Sequence, residues 1–277
     1  MISCNFFGGL GNNLFQLATA YGVSKKFNYK LVLPNYVDRG NISIYGQSTT
    51  LEIDDLLENR FYFDDNVSSN IPVYIHSDYH LGSTDYSFKE IPIKDDIKYH
   101  GYFQSEKYFS DIDISNEFIL KKENISEIKK KYTNLFNKKN ISIHYRLGGD
   151  RVTNHMQHFH KNVSVDYYKK ALETINDYDD DKYNILVFTD KIELCKTLLE
   201  NLNYNFQYIN TPNNILDFTF MSICDVNIVG NSTFSWWAAY LNKTINKKTI
   251  VTETEWFGPG YKHFKLKDTF PKDWVRL

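Results

Sequence analysis

The chain has 277 residues, a net charge of −2, 42% apolar and 16% aromatic residues. That is enough apolar surface for one large α/β domain or two modest ones. The charge balance excludes the strongly basic surface of a nucleic-acid or anionic-membrane binder, and no apolar run approaches the length of a membrane span. Cys4, Cys195 and Cys224 are few, odd in number and far apart, which points to a reducing compartment without a disulfide framework. The opening MISCNFFGGLGNN lacks the basic region and apolar run of a signal peptide, so a cytoplasmic location is expected. The Asn-x-Ser/Thr triplets at Asn41, Asn124 and Asn140 are then expected to carry no glycan.

Taken in order, residues 2–7 read as a strand, GGLGNN as a glycine turn, Leu14 to Phe27 as a helix and Tyr29 to Leu33 as a second strand stopped by Pro34. This is a βαβ opening, but Leu14 stands where a dinucleotide fingerprint has its third glycine. The turn still admits a ligand to the backbone at Gly8, Gly9 and Gly11. Asn12 and Asn13 either hydrogen-bond that ligand or cap the helix. Residues 35–100 are polar and turn-rich, read as loops with short strands and part of an acceptor surface. The aromatic stretch from Gly101 to Phe109 reads as a core corner. A strand at 116–121, a helix from Ile125 to Phe136 and a basic connection at 137–140 follow.

From Ile141 the strand–helix alternation is regular. Strands are expected at 141–146, 183–188, 206–209, 226–229 and 248–252, with helices at 165–175, 191–202, 215–223 and from Phe234 to Leu241. That rhythm specifies a parallel, doubly wound sheet, whose ligands bind beyond the C-terminal strand ends. The polar candidates gather there: His144 and Arg146, Asp190, and the turn Gly230-Asn231-Ser232-Thr233 before Phe234.

The stretch DVNIVGNSTFSWWAAYLN joins a buried strand, a polar turn and a helix, which is an anion site by construction or else a plain capped helix. Arg146 suits a bidentate grip on a diphosphate, or a surface salt bridge. Asp190 accepts from a base or ribose, or caps the next helix. His144 is a site residue or a satisfied core histidine. The HMQHFH cluster (His155, His158, His160) reads as a mobile loop rather than a metal site, because no cysteine and no H-E-x-x-H frame accompanies it.

These residues resemble glycosyltransferase family 11, the α-1,2-fucosyltransferases, over nearly the whole chain. GGLGNNLFQLATAYGVSKK is similar to the family's opening turn and helix, GYFQSEKYF to its aromatic motif, HYRLGGD to its His-x-Arg-Arg-Gly-Asp motif, VFTD to its strand-end motif, and MSICDVNIVGNSTFSWWAAYLN to its most recognisable segment. Glu255-Trp256-Phe257 is similar to its late tryptophan-containing loop.

The resemblance implies an α/β fold of GT-B type, two Rossmann-like domains with the donor cleft between them. It divides the chain into an N-terminal domain, 1–138, with the glycine turn and the expected acceptor surface, and a GDP-sugar-binding domain, 139–277. It implies an inverting, metal-independent transfer of fucose from GDP-β-L-fucose to the 2-hydroxyl of a terminal β-galactoside, with no cofactor, no nucleic acid and an undefined oligomeric state. Carried over by position, Arg146 holds the diphosphate, Asn231, Ser232, Thr233 and Phe234 form the phosphate cradle, Asp190 lies near the nucleoside, and Gly9, Gly11 and Asn12 face the donor. His144 and Asp150 are candidate bases beside Arg146. Two departures stand out: Leu147 replaces the second arginine, with Gly149 displacing Asp150 and Arg151 a replacement cation, and Asn13 replaces a glutamine. The rival readings are a GDP-sugar transferase with a non-galactoside acceptor and a GDP-sugar- or glycan-binding protein without catalysis.

Overall fold

A computed structural model of the chain describes residues 1–34, 37–38, 52–59, 61–64, 71–79, 85–149, 154–176, 178–261 and 263–277, with only the backbone at 37–38 and 154–156. The chain forms two compact α/β units, Met1–Ile119 with Phe264–Lys272, and Leu120–His263 with Asp273–Leu277.

In the first unit β1 (Ile2–Cys4) begins the chain and β2 (Phe6–Phe7) follows after one residue. Helix α1 (Leu10–Phe27) starts four residues before the expected Leu14. Glycine is a poor helix former, so GLGNN reads as a turn, yet Leu10, Gly11, Asn12 and Asn13 are the first helical residues. The Asn12 and Asn13 amides donate to the Gly9 carbonyl at 2.9 and 3.1 Å. Then come β3 (Val37–Asp38), α2 (Ile53–Leu56), β4 (Val73–Ile75), β5 (Ile97–His100) and α3 (Ile114–Glu117). The parallel sheet has the order β1-β5-β4, and β2 pairs separately with β3. The expected strand at 29–33 is reduced to bridges of Leu31 with Ile2 and Leu33 with Phe63. The strand expected at 116–121 does not form; α3 takes its first two residues and no strand spans the other four.

The second unit opens with α4 (Lys122–Lys131), which packs against α8 (Asn214–Met221). That packing moves the division of the chain to 119/120 rather than 138/139. Its sheet is made of β6 (Lys139–His144), β7 (Tyr183–Phe188), β8 (Phe206–Tyr208), β9 (Val226–Val229), β10 (Lys248–Val251) and β11 (Val275–Arg276). The order is β11-β10-β9-β6-β7-β8, all parallel. The first strand thus lies beside the fourth. Connections run outward from β6 to one edge and from β9 to the other, which makes the β6/β9 boundary the switch point of a doubly wound sheet.

Helices α5 (Asn154–Phe159), α6 (Val165–Glu173), α7 (Ile192–Leu199) and α9 (Thr233–Tyr240) complete the unit. Strand β7 is buried at every position because both its faces are covered, and all but Asn184 of its residues are apolar or aromatic. Ile185 and Val187 join Tyr167, Tyr168 and Leu172 of α6 and Cys195 and Leu199 of α7 in one core cluster. Phe188, on the other face, lies 5.5 Å from the Phe220 ring of α8. A buried polar row crosses the strands: Asn227 donates to Ser142 Oγ at 2.8 Å, Asn242 to Asn227 Oδ1 at 2.8 Å, and Asn184 to Asn140 Oδ1 at 3.1 Å. Each amide in the row is satisfied, as a buried polar group requires. Among the described residues no helix is long and apolar enough to cross a membrane.

One half-buried carboxylate in this unit has no ion pair at close range among the described residues. Asp217 on α8 accepts from Thr211 Oγ1 at 2.8 Å, and burial pushes its pKa up to about 6 against the lowering by Thr211 and the more distant Lys131. A carboxyl with a raised native pKa contributes stability below the unfolded value near 4, and that contribution is lost as pH rises through about 6. Asp217→Asn should therefore stabilise the protein by on the order of 1–3 kcal/mol above pH 6. Thermal melts from pH 4 to pH 8 check this: the gap between variant and wild type should open between those pKa values and then stay flat.

Candidate functional site

The site is built at the C-terminal ends of β6, β7 and β9. Ile143 pairs with Ile228 and His144 with Phe188. Continuing the register, Arg146 is level with Asn231 across the switch point and with Asp190 on the other side. The sequence-derived candidates His144, Arg146, Asp190 and Gly230 to Phe234 thus occupy three neighbouring strand ends.

Asp190 is tied to the Arg146 segment. Its Oδ1 accepts the Leu147 and Gly148 backbone N–H groups at 2.8 and 2.9 Å. A Cβ on Gly148 would lie 2.9 Å from Asp190 Oδ2, so glycine is what lets the carboxylate close on the turn. Gly149 follows with φ +63°, and a Cβ there would meet an Arg146 guanidinium nitrogen at 3.5 Å. Asp190 therefore fixes the backbone that presents Arg146. Leu147, where the family motif has its second arginine, is 2% exposed and belongs to the core cluster of this unit. Asp150 and Arg151 lie outside the described residues.

The turn before α9 is equally constrained. Gly230 sits against β6: a Cβ would come 2.7 Å from the His144 carbonyl oxygen and 2.9 Å from the Tyr168 hydroxyl, the same two groups that hydrogen-bond each other at 2.9 Å. The Ser232 N–H donates to the Gly230 carbonyl at 2.8 Å. Ser232 holds the N-cap position, as the turn's composition implies, but its hydroxyl makes no capping bond to the helix. Thr233 and Phe234, both half-buried, begin α9, and the fully buried Trp236 and Trp237 anchor the helix. A helix N-terminus with its cap residue so arranged offers N–H donors and a positive dipole end to an anion.

Asn231 does something the sequence did not disclose. Its amide nitrogen donates to the Lys161 and Glu255 carbonyls at 2.9 and 3.1 Å, and the side chain is buried. It braces the turn from behind. Glu255 continues the brace, accepting from Ser164 N at 2.9 Å and pairing with Lys161 at 2.9 Å. Burial alone would raise its pKa, but the Ser164 bonds and Lys161 outweigh burial and hold it below the usual carboxylate range. Tyr167 adds a third brace, donating to the Val229 and Ile250 carbonyls at 2.7 and 3.2 Å.

His144, half-buried at the end of β6, shares a 3.0 Å hydrogen bond between Nδ1 and Ser235 Oγ. Ser235 directs its own proton to the Ser232 carbonyl at 3.2 Å. Nδ1 is then the donor, and Nε2 is the basic nitrogen of the ring. The imidazole also packs on Phe234, centroids 5.6 Å apart. His144 is thus linked to the α9 turn rather than sealed in the core.

The histidine-rich segment is not a loose loop. Helix α5 covers most of it, Phe159 stacks on Tyr261 at 4.2 Å, and a Cβ on Gly258 would lie 2.4 Å from the His158 carbonyl oxygen. Among the described residues no group of histidine, cysteine or acidic side chains is arranged to hold a metal ion.

The remaining candidates belong to the first unit. Gly8 has φ +77°, and a Cβ there would lie 2.4 Å from Asn12 Nδ2. Gly9 is exposed, with nothing within 4 Å of a Cβ position; Gly11 is buried within α1 and is no part of the open turn. Asn12 Oδ1 accepts from Gln104 at 3.1 Å. Asn13 turns inward, donating to the Phe7 carbonyl at 3.1 Å and to Gln16 at 3.2 Å, so its amide serves the fold and not a ligand.

With this geometry in place, comparison with known proteins is direct. The glycosyl transferase family 11 model matches residues 1–277. An O-antigen biosynthesis glycosyltransferase, WbnK, of Escherichia coli is 29% identical, with full coverage of both chains. An alpha-1,2-colitosyltransferase of the same organism is 27% identical over 98% of this chain and 96% of its own. Among solved structures, the fucosyltransferase NodZ from Bradyrhizobium superposes with TM-score 0.53 at 15% identity, covering 87% of this chain and 91% of that one. POFUT1 in complex with GDP superposes with TM-score 0.57 at 11% identity, covering 90% and 97%. At those identities the structures speak to the fold, which is the GT-B-like arrangement of parallel α/β sheets. The whole-chain match settles the family: the chain belongs to glycosyltransferase family 11 and is a glycosyltransferase.

Proposed function

We propose that the protein transfers L-fucose from GDP-β-L-fucose to the 2-hydroxyl of a terminal β-galactoside, with inversion and without a metal ion. The observation that carries this reading is the placement of two anion-directed features on adjacent strand ends at one switch point. Arg146 follows β6, and the α9 N-terminus with Ser232 and Thr233 follows β9. A sugar nucleotide whose leaving group is a diphosphate fits that pair. The transition state is cationic at the sugar and places growing negative charge on the β-phosphate. Arg146, the Ser232 and Thr233 groups and the first α9 N–H donors oppose that charge from fixed positions. His144 accepts the proton of the attacking hydroxyl at Nε2. The name of the colitosyltransferase relative supports the 1,2 linkage. GDP-fucose complexes among the similar structures support the donor.

The same colitosyltransferase relative favours one second reading, in which colitose replaces fucose on the donor. The deciding experiment follows GDP release from GDP-fucose and from GDP-colitose, in EDTA, with lactose or N-acetyllactosamine, and locates the new linkage by NMR. Acceptor-dependent release from GDP-fucose and an α-1,2 product are expected. Release only from GDP-colitose would establish the second reading. GDP binding without release on any β-galactoside would overturn the galactoside assignment.

A further inference from the structure

The first unit carries an aromatic cluster that the donor chemistry does not use. It stands at the C-terminal ends of three strands, where β2 ends at Phe7 and β4 and β5 of the three-stranded sheet end at Ile75 and His100. Phe7 is buried, and three rings surround it: Tyr79 at 5.1 Å, His100 at 4.8 Å and Tyr102 at 5.0 Å between centroids. Tyr79 and His100 meet edge to face at 4.0 Å. Asn5 Nδ2 contacts His100 Nδ1 at 2.9 Å and fixes the imidazole. Tyr79 is 42% exposed, and His100 and Tyr102 are half-buried. The cluster is therefore open on one side. The Asn12–Gln104 amide pair lies next to it, through Gly8 on one side and the Tyr102–Gln104 segment on the other.

The turn that presents Tyr102 and Gln104 is held in an uncommon conformation. Phe103, a bulky residue, has φ +53°, a left-handed position that persists only where the surroundings enforce it. The enforcing group is Asp78, which is 4% exposed. One carboxylate oxygen accepts the Tyr102 N–H at 3.0 Å and the other the Phe103 N–H at 2.7 Å. His76 stands behind it, Nδ1 being 2.9 Å from Asp78 Oδ1 and Nε2 2.9 Å from the Tyr108 hydroxyl. The Asp78 backbone N–H also lies 3.2 Å from His76 Nδ1; the shorter carboxylate contact places the proton on Nδ1. A buried Asp–His–Tyr chain is more than a loop needs merely to close. Its visible effect is to hold one aromatic ring and one amide at fixed positions beside the exposed Tyr79.

We propose that Tyr79, His100 and Tyr102 form the platform on which the acceptor sugar rests, with the Gln104 amide beside it to hydrogen-bond a hydroxyl. This rests on the glycosyltransferase reading above, because the reaction requires a second sugar besides the donor. The chemistry selects a pyranose: its ring presents a C–H face suited to the negative face of an aromatic ring, and its hydroxyls suit amides at the edge. Asp78 and His76 are positioning residues that act through the Tyr102–Gln104 turn.

Tyr79→Ala, Tyr79→Phe and Tyr102→Ala variants test this by two readouts on the intact protein. The first is the steady-state KM for N-acetyllactosamine against the calorimetric Kd for GDP. The alanine variants should raise the acceptor KM tenfold or more and leave the GDP Kd within twofold, and Tyr79→Phe should stay close to wild type. The second is saturation-transfer NMR with N-acetyllactosamine and lactose in the presence of GDP, which needs no turnover. Wild type should show transfer to the sugar protons, and Tyr79→Ala should lose most of it. An unchanged acceptor KM in variants that melt like wild type would overturn the platform. So would a parallel rise in the GDP Kd, which would mean that the rings stack on the nucleoside. Saturation transfer without turnover would sustain the platform while removing the fucosyl-transfer reading; no transfer to either sugar in the wild type would remove the platform itself.

Discussion

Arg146→Ala is expected to lower kcat by roughly 10²–10³-fold, the usual cost of removing one preorganised donor from a developing negative charge. The reasoning is local. Arg146 leaves β6 at the switch point, Asp190 clamps the two following N–H groups, and Gly149 in the left-handed region passes under the guanidinium. None of these contacts is needed to close the core, so the melting temperature should change little. The GDP Kd should rise, because the ground-state diphosphate is gripped by the same fork. Arg146→Lys should fall between wild type and alanine, since a point charge replaces a bidentate donor. The neighbouring position cannot compensate. Leu147 is buried in the same core cluster as Tyr145, Val163 and Tyr168, and Leu147→Arg would bury an unpaired cation at a cost of several kcal/mol. A first-order comparison of kcat and GDP affinity for the alanine and lysine variants checks all of this; an alanine variant with unchanged kcat would remove Arg146 from the chemistry.

How much of this was legible in the sequence depended on how local each signal was. Tyr183–Phe188 and Val226–Val229 read correctly to the residue, because a strand buried on both faces is a short, mostly apolar run, here interrupted only by Asn184 and Asn227. The strand-end position of Arg146, Asp190 and Ser232 followed from the same alternation. The start of α1 was missed because glycine-rich sequence argues for a turn, while in the fold Gly9 is the N-cap and the apolar face of the helix decides where it begins. Strand β11, two residues long, has no periodicity to detect; it forms because Val275 reaches Ile250 in the sheet. The braces were invisible for a different reason. Asn231 and Glu255, His76 and Tyr108, and Gly258 and His158 are far apart in sequence, and nothing in either partner alone marks the pair. The polar row of Asn140, Ser142, Asn184 and Asn227 was hidden likewise, since single asparagines in strands argue against a strand until their partners are known.

Gly230→Ala is the second change of large expected effect, and it separates geometry from charge because it removes no polar group. The added methyl would lie 2.7 Å from the His144 carbonyl oxygen and 2.9 Å from the Tyr168 hydroxyl. The first is backbone of the central strand and the second is held on that same carbonyl, so neither can rotate away. The turn must move instead, against Asn231, Glu255 and Tyr167, which hold it from behind. Overpacking of this kind costs typically about 1–3 kcal/mol, or roughly 3–10 °C in melting temperature for a unit of this size. The catalytic loss should be larger than the stability loss implies. A shift of about 1 Å in a positioning element can cost on the order of 10²-fold in rate, and here the moved element carries Ser232, Thr233 and the α9 N–H donors. The expected signature is a fall in kcat near that of Arg146→Ala with a lowered melting temperature, where Arg146→Ala leaves the melting temperature nearly unchanged. A Gly230→Ala protein with wild-type kcat would mean that the turn tolerates displacement and that the anion is held elsewhere.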